Sequence, residues 1–161
     1  MRRRLICVAL ALLAPVPRPL VAQAQNESIM RGEARVDAVF ARAHLFQAGL
    51  GLAFRTGYNV RLNFAAAAGV ALKDGEQKSS ARGDGTLRLL LDPFGESRLG
   101  LSIGGGLSAL YDGFEETRPV GVVVLGLEGR PRAPLVWSTE LALGGGVRVG
   151  AVLRRRAGRY R

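Results

Sequence analysis

Cysteine is almost missing from this chain. Cys7 is the single one in 161 residues, so no disulfide framework holds the fold. Histidine is as scarce: His44 stands alone, which excludes a Cys/His cluster for a transition metal and leaves one imidazole as a possible base. The apolar stretch 5–14 is too short to span a bilayer as a helix. Acid is short as well, with 13 Asp and Glu against 23 Lys and Arg and a formal charge of +10. A basic balance suggests polyanions. Many arginines here fall on strand faces instead of in a run or on a helix, which favours phosphate-bearing lipid headgroups over nucleic acid.

The first residues read as a secretory signal. Arg2, Arg3 and Arg4 form a positive start, 5–14 an apolar segment, Pro15, Pro17 and Pro19 break any helix, and Ala22-Gln23-Ala24 is a small-x-small cleavage site. Cleavage after Ala24 removes Cys7, whose place inside the apolar segment excludes a lipoprotein anchor. The predicted organisation is a signal peptide at 1–24, a polar periplasmic leader at 25–33, a barrel at 34–155 and a basic tail at 156–161. Asn26-Glu27-Ser28 matches the glycosylation pattern by chance in an exported protein of bacterial character.

What is abundant is alternation. Tyr58, Val60, Leu62, Phe64, Ala66, Ala68 and Val70 share one face, and Asn59, Arg61, Asn63, Ala65 and Ala67 share the other. A period of two is the signature of a β-strand, whose successive side chains leave opposite faces. Eight such segments are predicted, at 34–42, 46–55, 58–71, 83–91, 98–109, 119–128, 133–144 and 147–154. Most match the roughly 9–11 residues of a transmembrane strand. Short turns at 55–58, 92–97 and 128–132 alternate with a long polar loop at 73–82 and a medium one at 111–118. That asymmetry places the short turns and both termini in the periplasm.

One register is apolar: Val36, Ala38, Phe40, Phe46, Ala48, Leu50, Leu52, Leu87, Leu89, Leu99, Leu101, Ile103, Leu107, Leu135, Leu141, Leu143, Val149 and Leu153. The other carries Arg35, Asp37, Arg55, Arg61, Arg88, Glu128, Glu140, Arg148 and Arg154 among glycines. An eight-stranded barrel is just wide enough for side chains to fill it. These nine are therefore expected to plug the lumen, six arginines against three carboxylates, with the surplus charge screened by water or anions. Tyr58, Tyr111, Phe46, Phe54 and Trp137 fall near strand ends, where a membrane barrel carries its aromatic girdles. The segment from Val120 to Leu125 is a continuous apolar run with no clear face. A soluble lipocalin-like barrel gives the same alternation with leucines inward and arginines outward.

In architecture the stretch from Ala34 to Leu153 resembles the small eight-stranded outer-membrane barrels of the OmpA/OmpX-like group. Arg148-Val149-Gly150-Ala151-Val152-Leu153 is similar to that group's C-terminal assembly signal, though arginines follow where the group closes on an aromatic. The resemblance implies an all-β, eight-stranded antiparallel up-and-down transmembrane barrel in the outer membrane. It implies outer-membrane lipid, lipopolysaccharide and the barrel-assembly machinery as partners, no nucleic acid, no cofactor and no metal. The implied role is structural, adhesive or envelope-maintaining, without catalysis. A narrow anion-preferring pore is the second reading. Lipid-A deacylases resemble the chain in size and strand count and carry a His-x-Ser pair beside a Glu. Here Ser138-Thr139-Glu140 offers Ser and Glu on one face, with no histidine two residues before the serine. Asp74, Glu76 and Asp84 in the long loop are surrounded by Lys73, Lys78 and Arg82, as in a solvated loop rather than a calcium site. Arg82-Gly83-Asp84 spells an integrin-type tripeptide by chance, and the two Gly-Gly-Gly runs read as bends or a tight turn.

Overall fold

Residues 30–92, 98–129 and 134–156 are described by a computed structural model. The signal peptide with Cys7, the leader up to residue 29, the turn segments 93–97 (with Phe94) and 130–133, and the tail from 157 lie outside the described residues. Eight strands run in chain order: β1 Met30–Phe40, β2 His44–Arg55, β3 Val60–Lys73, β4 Glu76–Leu90, β5 Leu99–Tyr111, β6 Arg118–Gly129, β7 Leu135–Leu143 and β8 Val147–Arg156. Each pairs antiparallel with the next, and β8 closes on β1, making an up-and-down barrel without a free edge. Among the described residues there is no helix. All eight predicted strands are present.

Two boundaries differ from the sequence expectation in ways that matter for the interior. β1 begins at Met30, not Ala34, so Gly32 and Glu33 belong to the wall, opposite Arg155 and Arg154 of β8. The long polar loop expected at 73–82 does not exist. β3 and β4 are joined by Asp74 and Gly75 alone, with φ of 51° and 83°. Both central residues of a type I′ hairpin turn need positive φ, and Asp-Gly is a pair that provides it. A polar composition had disguised a strand. With that loop gone, the connections at 41–43, 74–75 and 144–146 are shorter than any of those at 56–59, 91–98 and 130–134, and only 112–117 on that end reaches six residues. The predicted loop asymmetry is therefore overturned; the even strand count alone keeps both ends of the described chain at one end of the barrel.

The faces separate completely. Leu50 is 71% exposed, Leu107 66% and Leu101 54%, whereas Arg88, Glu140 and Arg154 are at most 1% exposed. The continuous run in β6 resolves the same way, with Val122 and Val124 inside and Val123, Leu125 and Leu127 outside. The leucine register thus points outward and the arginine register inward, the reverse of a lipocalin-like barrel.

Candidate functional site

The lumen is the part of this molecule where chemistry-bearing side chains converge. Six arginines (Arg35, Arg61, Arg82, Arg88, Arg148 and Arg154) and five carboxylates (Glu33, Asp37, Asp84, Glu128 and Glu140) are buried in it. Inward glycines make room for them. A Cβ on Gly150 would strike the Asp37 carboxylate, and one on Gly126 would lie 2.6 Å from Ser102 Oγ and 3.6 Å from Arg88 Nη1.

Toward the end that holds the termini, Arg154 is the hub. Its Nε donates to Glu33 (2.5 Å), Nη1 to Glu128 (2.7 Å) and Nη2 to Glu140 (2.6 Å). Glu140 also accepts both terminal nitrogens of Arg88 at 2.5 and 2.9 Å, a fork-to-fork pair. Arg61 reaches Glu128 in the same bidentate manner, its second bond at 3.2 Å, and Asn63 Nδ2 donates to Glu33 at 2.7 Å. Arg35 links this cluster to the next, donating to Asp37 at 2.8 and 3.1 Å and to Glu140 at 3.2 Å. Further along, Arg82 donates to Asp37 at 2.5 Å and to Asp84 at 3.0 Å, and Arg148 donates to Asp84 at 2.8 Å. Ser108 Oγ reaches Asp84 at 2.6 Å, and Gln47 Nε2 reaches Ser80 at 3.0 Å. Every strand contributes a member. Bonds that cross the lumen from β1 to β7, β3 to β6, and β8 to β4 brace the barrel from within, as the ladder braces its wall.

From the level of Arg148 toward the end away from the termini the lumen turns apolar. Val39, Ala43, Leu45 and Ala71 are buried together, with Leu110 and Phe114 packed on them, and Val122, Val124, Ala142 and Val120 form a second cluster. Phe114 comes from the 112–117 connection, where Asp112 Oδ1 accepts the backbone N–H of Phe114 and Glu115 at 2.9 and 3.0 Å. Lys78 Nζ lies 4.3 Å from the centre of the Phe114 ring, within cation–π range. Arg42 pairs with Glu115 at 3.0 Å, tying the β1–β2 connection to this one.

Of the nine residues expected in the lumen, eight are there. Arg55 is not among them: it lies half-buried at the barrel end and donates to the Tyr58 carbonyl at 2.9 Å. Sequence reasoning missed Glu33 and Arg82 because it placed them in a leader and a loop, and Asp84, at the start of the predicted fourth strand, because it was grouped with the acids of that loop. The signal was available: Glu33 extends the Arg35, Asp37 alternation, and Ser80, Arg82, Asp84, Thr86 and Arg88 keep a strict period of two behind an Asp-Gly turn. Their inclusion also corrects the charge balance, since five carboxylates face the six arginines where three were expected.

The remaining candidates disperse. His44 is outside, edge-on to Phe40 at 5.8 Å, while Ser138 is buried inside against the opposite end of the barrel, so they share no site. Asp84 is in the lumen and Asp74 at a hairpin tip, so no loop calcium site forms. Arg82 and Asp84 point inward, which leaves the tripeptide unavailable as a ligand. Gly144-Gly145-Gly146 is the β7–β8 turn.

On the outer wall Tyr58, Phe54, Phe64 and Trp137 gather toward the end with the termini, and Phe40, Phe46 and Tyr111 toward the other. Phe54 and Phe64 meet edge to face at 6.3 Å. An open apolar groove of about 1130 Å³ crosses this wall between Leu50, Leu52, Phe64 and Leu153, with Arg155 at its rim.

Among solved structures, the chain is similar to the crystal structure of Neisserial surface protein A (NspA). The TM-score is 0.56 and the identity 11%, over 80% of this chain and 96% of that one. At that identity the likeness concerns the fold. No protein-family model and no curated protein matches the chain.

Proposed function

We propose that this chain is an integral outer-membrane barrel with a structural, envelope-maintaining role, neither catalytic nor an open channel. The observation that carries this reading is the inverted distribution of side chains. A continuous leucine, valine and aromatic surface surrounds a charged interior, and in water such a surface would drive aggregation. In lipid it is the required one, because a closed barrel satisfies every backbone group. Strands of 9 to 15 residues suit the span. The aromatic groups at the two ends serve as interface anchors. The partners of the wall are phospholipid and lipopolysaccharide acyl chains, and insertion falls to the barrel-assembly machinery. The similar Neisserial protein is by its name a surface protein, which agrees with this location.

The lumen supports a plug rather than a pore. A cross-bridged network fills one part and an apolar seal under Phe114 the rest. A second reading, adhesion, has one observation in its favour. Residues 76–80 of β4 pair only with β3, so the hairpin runs past the last β4–β5 pair with Lys73, Asp74, Glu76 and Lys78 on it, Lys78 resting on Phe114. The deciding experiment is fractionation followed by electrophoresis with and without boiling. The mature chain is expected in outer membranes, running faster unboiled than boiled, and silent in planar bilayers. A chain found soluble in the periplasm refutes the membrane reading, and steady unitary conductance refutes the plug.

A further inference from the structure

The lumen charges divide into two groups with different balances. Near the termini, Arg61, Arg88 and Arg154 face Glu33, Glu128 and Glu140, three against three. In the half beneath the apolar seal, Arg35, Arg82 and Arg148 face Asp37 and Asp84, and Arg35 also reaches across to Glu140. Glu140 is already held by Arg88 and Arg154, so the carboxylates of this half fall one short of its arginines, and a buried unpaired charge is costly.

Hydrogen-bond donors tell the same story independently. Arg82 Nη1, Arg148 Nε and Arg148 Nη2 are buried without a partner in the protein. Both guanidinium groups are held side by side because both donate to the same oxygen of Asp84, at 3.0 and 2.8 Å. Gln47 Oε1 is the one unpartnered acceptor among the described side chains of this half. Water satisfies donors and acceptors alike but leaves the charge. An anion does both.

From these two observations we infer that the Arg82–Arg148 pair is a binding site for one small monovalent anion of halide size. One negative charge neutralises the half-lumen, whereas a doubly charged phosphate would overshoot it. Small size follows from the setting, beside the Asp84 carboxylate and toward the barrel end filled by Val39, Leu45, Ala71 and Phe114, with Val39 opposite Arg148 in the β1–β8 ladder. The anion acts as a structural counter-ion, fixed when the barrel closes. The inference rests on the lumen geometry and not on what surrounds the barrel.

The test uses the folded full-length mature chain in detergent, with thermal unfolding followed by gel mobility. Sodium bromide is compared with sodium gluconate at equal ionic strength, so that screening is the same and only the small anion fits the site. The expected result is a midpoint several degrees higher in bromide, rising with concentration as binding to the folded form requires. In Arg148→Met, which removes the surplus charge and two of the donors, the two salts are expected to give one midpoint. Equal midpoints in the wild type, or an undiminished bromide effect in the variant, overturn the inference. Bromide-soaked crystals of the wild type give a second readout that needs no variant to fold. An anomalous peak within hydrogen-bond range of both guanidinium groups supports the site, and its absence overturns it.

Discussion

Glu140→Gln is the substitution that most directly measures what the lumen network contributes. Glu140 accepts four hydrogen bonds from three arginines: two from Arg88, one from Arg154 and one from Arg35. Glutamine keeps the shape but replaces one oxygen by an N–H₂ group that faces guanidinium donors, and it removes the charge that three cations share. Breaking a buried pair by removing one partner costs about 3–5 kcal/mol. Against a total margin of about 5–15 kcal/mol, the variant still folds but unfolds at markedly lower denaturant. The assay is guanidinium unfolding in detergent or vesicles, read by the fluorescence of Trp137, the single tryptophan, and by gel mobility. A second change completes the reasoning. Arg88→Met in the Glu140→Gln background restores equal numbers of charges near the termini, and at least half of the lost stability is expected to return, because removing both partners is far milder than removing one. If the double variant is as unstable as the sum of the two single ones, the groups are uncoupled. The network would then be a solvated lumen lining that does not brace the wall.

The neighbouring residue gives the opposite face. Leu141→Arg, outward on β7 and 41% exposed, is expected to cost about 2–4 kcal/mol if it meets the bilayer interior; a neutral outcome in vesicles would place that face in water. Trp137 is half-exposed on the same wall, so brominated acyl chains are expected to quench it and acrylamide to do so poorly, with the reverse pattern arguing against lipid contact. Gly75→Ala meets open space but a φ of 83°, so about 1 kcal/mol of local strain is expected to speed amide exchange roughly fivefold at the hairpin tip, leaving the lumen's exchange unchanged.

Much of the architecture is legible in the residues themselves. An eight-fold recurrence of period-two alternation has few solutions other than a closed barrel, and strand existence follows from side-chain direction, a purely local property. Membership of the arginine register is local too, which is why eight of the nine named lumen residues lie inside. Arg55 falls outside because parity says which side a residue faces but not how far along the barrel it sits. Glu33, Arg82 and Asp84 were hidden by their polar surroundings, whose composition imitates a loop.

Sequence by itself determined the strands, the two faces and the kind of residue on each. Which face lies inside was decided only by closure, since period two is symmetric between an apolar core and an apolar coat. Closure likewise decided which charges meet: Arg154 and Glu128, or Arg148 and Asp84, sit on strands that are not neighbours in the wall. Their pairing depends on the curvature of the whole sheet, which no local spacing encodes. The surplus charge beside Arg82 and Arg148 belongs to the same level, because a balance within half a lumen exists only once eight strands enclose it.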